Sequence, residues 1–187
     1  MKLESLIDFE WYNEPENVIF EEKNMKIVAK PQTDFWQSVH HKIKKDNGHF
    51  FYKTLSGDFE LIVKWRFNDA SFFNQCGLMV RVDERNWFKA SVLTKTAETP
   101  EAGSCLTIGG YSDWADAPLS RMPHKIFYKL KRKKDDFVCF YSLNGTDYIK
   151  LRQFYLRGVE NDIKAGAYIA APQNTSFEAV LDEIEFK

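Results

Sequence analysis

No stretch of this chain approaches the ~18 uninterrupted apolar residues of a membrane-crossing helix, so a spanning segment is not expected. The N-terminus, MKLESLIDFEW, carries Glu4 and Asp8 where a secretory signal would need an apolar run, and so does not read as a leader. Charge of one sign is also lacking. The formal net charge is −1, which leaves no bulk field to draw nucleic acid or anionic lipid. Glycine and proline are sparse (9 and 6 in 187 residues), which excludes a low-complexity linker. Gly109-Gly110 precede no helical pattern and so do not form a phosphate-cradling loop. There is no G-x-S-x-G turn for a serine nucleophile. The three cysteines, Cys76, Cys105 and Cys139, are odd in number and lie in strand-like runs, so they read as buried free thiols in a reducing compartment. These features together predict a cytoplasmic protein with no nucleic-acid or membrane partner.

Aromatic residues are abundant, at 16% of the chain. Such rings fit pleated, half-buried surfaces. Apolar alternation at period two recurs almost throughout, and turn residues break it every 8–14 positions. FELIVKWRF (59–67) puts Phe59, Leu61, Val63, Trp65 and Phe67 on one face and Glu60, Lys64 and Arg66 on the other. CGLMVRV (76–82) alternates likewise. Strands are predicted over 18–22, 25–30, 59–67, 76–82, 86–95, 104–109, 125–132, 136–143, 147–154, 164–171 and 176–186. Asn144-Gly145 marks a turn, because both residues tolerate positive φ. In the last strand, keeping Leu181 in phase with Ile184 and Phe186 requires a bulge. KLKRKKDD (129–136) is basic, but it ends in acids and has no interleaved rings, so it reads as a solvated hairpin tip. SDWADAP (112–118) reads as a long loop of the kind that rims a cleft. About a dozen short strands with no repeat or composition break predict one all-β domain over 1–187, built as two stacked sheets or a barrel.

The segments WYNEP (11–15), TDFWQ (33–37), GHFFY (48–52), SGDFEL (56–61), CGLMVRVDERNWFKASV (76–92), GGYSDWA (109–115) and AGAYIAAP (165–172) carry a resemblance. In this order and spacing the chain resembles a domain-of-unknown-function family described as regulation-of-enolase-like, with the concanavalin A-like lectin/glucanase fold. The resemblance covers almost the whole chain. It implies a jelly-roll β-sandwich of two curved antiparallel sheets, with a concave face that relatives of the fold often use for sugars. It implies no particular reaction.

Chemistry-bearing constellations are few. A glycosidase would need two carboxylates facing one another across a cleft. The acid cluster of the final strand, Asp182, Glu183 and Glu185, instead suits a solvated face, as do Asp83-Glu84 in a turn. No triad or metal site is convincing, and no cofactor is expected. His40 and His41 are adjacent and His124 is remote, which leaves a grouping of His41, His49 and Asp46 as the one metal arrangement to check.

The aromatic-polar set is more informative. A sugar site pairs a ring platform with groups that hydrogen-bond hydroxyls. Trp36 with Asp34, Trp114 with Asp113, and Trp87 with Arg81 and Lys89 supply both kinds. If 76–82 and 86–95 are paired, Arg81 and Lys89 share a face, unless Asp83, Glu84 or Glu60 neutralises them. Two functions follow. One is a non-catalytic module that binds a carbohydrate or sugar phosphate on the concave face. The other is a protein-interaction module that acts on a metabolic enzyme.

Overall fold

The structure is a computed structural model and describes residues 6–38, 42–68, 70, 72–95, 99–156, 158–159 and 162–187. Among these residues, three sheets account for the regular structure. The first has β1 (Glu10–Tyr12), β6 (His49–Leu55), β15 (Ile163–Ala170), β8 (Gln75–Asp83), β9 (Asn86–Thr94), β10 (Pro100–Ile108) and β11 (Tyr111–Pro118), in that spatial order. The second runs β14 (Ile149–Tyr155), β13 (Asp136–Ser142), β12 (Lys125–Lys133), β7 (Phe59–Arg66), β16 (Phe177–Phe186), β3 (Met25–Ala29) and β2 (Asn17–Phe20). A two-stranded hairpin, β4 (Phe35–Gln37) with β5 (Lys44–Asp46), forms the third. All ladders between these strands are antiparallel. The protein is an all-β jelly-roll sandwich of two curved antiparallel sheets. No helix among the described residues is long and apolar enough to cross a membrane.

Alternation explains the packing. Phe59, Leu61, Val63 and Trp65 of β7 turn inward and are buried. They meet Cys76, Leu78 and Val80 of β8, Phe88, Ala90 and Val92 of β9, and Ala165, Ala167 and Ile169 of β15. The Trp65 indole N–H crosses the sandwich to the Gly77 carbonyl at 2.8 Å, so the ring satisfies its one donor without leaving the core. The outer face of the second sheet is largely solvated, whereas the central strands of the first are buried on both faces. Phe50, Tyr52, Met79, Trp87, Cys105 and Tyr168 form a second apolar cluster on its outer side, and Phe35 of the hairpin closes over them. Uninterrupted burial along β8 and β9 follows from this two-sided cover.

The expected bulge is present in β16. Its register against β7 shifts between Leu181 and Glu183. The residue so released, Asp182, accepts from Arg66 (3.0 Å) and pairs with Lys64 (3.3 Å). Burial pushes the Asp182 carboxyl up, but the bonds and charge of these two cations hold it below its ordinary value. At 144–145 only Gly145 takes positive φ, while Asn144 accepts the amides of Thr146 and Asp147. The basic segment does form the β12–β13 hairpin, with one exception to solvation. Arg132 is buried and donates to the carbonyls of Lys134 and Val159. All three cysteines are buried and unpaired.

SDWADAP is not a loop. It is the edge strand β11, paired with β10 from Ile108↔Tyr111 to Glu101↔Pro118. Gly109 (φ 62°) and Gly110 (φ 86°) make the two-residue turn before it, which needs positive φ at both positions. Polar residues and a terminal proline suit an edge strand that has a neighbour on one side only. The same composition made it resemble a loop.

Candidate functional site

The outer face of the first sheet is partly roofed by the β4–β5 hairpin, which two buried cations hold down. Lys89 is 1% exposed, and its ammonium meets Asp34 at 2.7 Å and Gln75 Oε1 at 2.9 Å. At the far end, Arg81 forks onto Asp46 at 2.6 and 2.8 Å and packs on the rings of Tyr12 and Phe35. The Tyr12 hydroxyl donates to the same carboxylate at 2.6 Å. Between the two pins the Phe35 ring lies directly on Gly48, where an added Cβ would come within 2.5 Å of it. The Gln37 amide reaches the Ser112 hydroxyl, which ties the hairpin to β11 as well.

Beside the Lys89 pin the roof stops short, leaving a cavity of about 550 Å³. That size suits a small ligand. Lys89, Asp34 and Gln75 form its polar floor, with the Tyr168 hydroxyl donating to Gln75 from behind (2.9 Å). Trp36, Trp114, Phe73, Leu93 and Ile43 make apolar walls. Gln32, Gln173, Lys45 and Lys95 stand among the lining groups. The Trp114 ring lies against Gly103, and its indole N–H bonds Asp116 at 2.9 Å. Lys95 sits over its ring and pairs with Glu101 (2.9 Å) and Asp116 (3.1 Å). Cys105 belongs to the same face, and burial pushes its thiol up to about 11, so it stays protonated there despite the nearby Lys89 charge.

The predicted residues therefore divide. Asp34, Trp36, Lys89 and Trp114 line one cavity. Arg81, Trp87 and Asp113 do not. Arg81 and Lys89 are on one face, as their strand period implies, but Arg81 is saturated by Asp46 rather than by Asp83, Glu84 or Glu60. Trp87 is fully buried beneath Phe35 and donates to the Glu84 carbonyl. Asp113 is exposed and is held by Arg152 (2.8 Å) and the Leu106 amide. Its neighbour Trp114 points the other way, because side chains alternate along β11.

His40 and His41 lie outside the described residues. His49 is buried with both ring nitrogens engaged: one donates to the Asn13 carbonyl and the other accepts the Lys30 amide. Among the described residues, no three His, Cys, Asp or Glu side chains gather as metal ligands.

Residues 11–187 match the sequence profile of a family described as protein of unknown function (DUF1349). The chain belongs to that family. A Saccharomyces cerevisiae relative, Regulation of enolase protein 1, is 29% identical over 107 residues. That match covers 57% of this chain and 53% of the relative, so it spans about half the length of the yeast protein. Among solved structures, a functionally unknown protein from Saccharomyces cerevisiae superposes with a TM-score of 0.90 at 22% identity, covering 97% of each chain. A variant of a GH43 protein from Bacillus licheniformis gives a TM-score of 0.76 at 13% identity, over 96% of this chain and 36% of that one. Both show that the sandwich is shared.

For this member of the DUF1349 family, several cavity residues carry no short-range signal. Gln75 stands one residue before the alternating run at 76–82, and nothing local marks it as a site residue. Phe73, Leu93, Lys45 and Lys95 come together only through the sheet register and the hairpin roof.

Proposed function

We propose that this protein is a non-catalytic binding module whose outer-face cavity takes a carbohydrate. The observation that carries this reading is the cavity between Trp36 and Trp114 with Lys89, Asp34 and Gln75 at its floor. Indole faces match the C–H faces of a sugar ring, and the floor and the glutamines offer both donors and acceptors to hydroxyls. Two of the three lining lysines are already neutralised, which favours an uncharged saccharide over a sugar phosphate, and the third, Lys45, donates to the Gln32 carbonyl at 3.1 Å. The Lys89 ammonium already has Asp34, and Lys95 already has Glu101 and Asp116. Hydrolysis of a glycoside would call for two opposed carboxylates. The described lining contributes Asp34 alone, and that group is ion-paired.

A second reading rests on different surfaces. Ile19 and Phe20 on edge strand β2, with Ile149 and Tyr155 on edge strand β14, expose apolar area at both margins of the second sheet. A protein partner suits such margins. The name of the yeast relative points to a regulatory role toward a metabolic enzyme.

Titration of intrinsic tryptophan fluorescence with cellobiose, xylobiose, maltose, lactose and glucose 6-phosphate separates the two. Saturable change in the wild-type chain that disappears in Trp114→Ala supports the sugar site. A flat response to every probe from folded protein overturns it and favours the partner reading.

A further inference from the structure

Phe72 and Phe73 are consecutive, exposed, and both left-handed, with φ of 49° and 68°. Bulky side chains rarely adopt this conformation, and strain of this kind persists where the surroundings impose it, often at ligand sites. The surroundings here are specific. The Phe73 amide donates to the Thr94 carbonyl at 2.8 Å, and the Thr94 amide donates to Ala70 at 3.0 Å. The Phe73 carbonyl accepts Gln75 Nε2 at 3.1 Å. That amide cannot turn over without losing its partners, because Gln75 Oε1 faces the Lys89 ammonium and the Tyr168 hydroxyl, each at 2.9 Å. The floor of the cavity thus fixes the backbone at its mouth. Neither ring is enclosed as a core ring would be, at 57% and 39% exposed. Phe73 lines the cavity with the two tryptophans, and Phe72 does not.

We infer that Phe73 is a third aromatic wall of the ligand site, a specificity-determining residue whose strained backbone holds its ring ready for the C–H face of an uncharged saccharide. The inference rests on the carbohydrate reading above. Ring and strain make separable predictions, because glycine adopts positive φ freely.

The experiment measures thermal midpoint and disaccharide affinity, with cellobiose, xylobiose, maltose and lactose as probes, for the wild-type 187-residue chain, Phe73→Gly, Phe73→Tyr and Phe72→Gly. Relief of strain should raise Tm by about 2–4 °C in Phe72→Gly, with affinity unchanged. Phe73→Gly should be no less stable than wild type yet bind about tenfold more weakly. Phe73→Tyr should keep the affinity. Undiminished affinity in Phe73→Gly, with binding still lost in Trp114→Ala, sinks this inference and leaves the carbohydrate site standing. A lower Tm in Phe73→Gly also sinks it, since the ring would then be ordinary packing. A wild-type chain silent toward every probe removes both readings together.

Discussion

Trp114 reaches the cavity because of the residue beneath it. Gly103 of β10 is diagonal to Trp114 across the ladder, and a Cβ there would fall 2.0 Å from the indole. The missing side chain leaves room for the ring, whose N–H finds Asp116 and whose centre lies 5.5 Å from the Lys95 ammonium. Gly103→Ala should therefore displace the ring and break the Asp116 bond. The expected cost is about 1–3 kcal/mol, the range for overpacking a filled site. A shifted tryptophan emission maximum together with a lower urea midpoint would report it. An unchanged spectrum and midpoint would show that the ring does not depend on this glycine. Residue type and the acid before it single out Trp114 in the sequence, whereas nothing there singles out Gly103. A glycine within a strand carries no mark of which ring lies on it.

The β4–β5 hairpin shows where legibility ends. Long strands such as β7, β8 and β12 announce themselves by alternation over seven or more residues. By contrast, β4 and β5 have three residues each, and Lys44–Asp46 is wholly charged. Long-range ion pairs hold this hairpin, Asp34 to Lys89 and Asp46 to Arg81, and no local pattern records such pairs. The same tertiary dependence explains why Arg81, a reasonable ligand contact by residue type, proves to be a structural anchor. Removal of Asp46 strands a buried guanidinium. Asp46→Ala should cost about 3 kcal/mol, whereas the double replacement Arg81→Met with Asp46→Ala should recover part of the loss, since no unpaired charge remains. Denaturant midpoints of the single and double variants test this. Equal destabilisation by both would mean that the ion pair does not govern how the hairpin is seated.

At the scale of the whole molecule, His49 joins the two layers at one end. It opens β6 of the first sheet, receives the amide of Lys30 just after β3 of the second, and donates to the carbonyl of Asn13 just after β1. This arrangement requires a neutral imidazole, because the nitrogen facing Lys30 must accept. Burial lowers the basicity of His49, the Asn13 carbonyl opposes that effect, and the Lys30 charge reinforces it. The unfolded chain therefore takes up a proton near pH 6.5 while the folded chain resists until a lower pH. The contribution of His49 is fully present above about pH 6.5 and is lost as pH falls through the interval below it, at no more than about 1.4 kcal/mol per pH unit. His49→Gln keeps one donor and one acceptor but does not titrate, so it should flatten stability between about pH 6.5 and 5 relative to wild type. Urea unfolding at pH 7.5, 6 and 5, taken as about one unit above and two points below the free imidazole value, measures the difference. Parallel pH profiles for the two chains would assign the acid sensitivity to other groups. A steeper wild-type profile would show that one buried, neutral histidine couples the two layers.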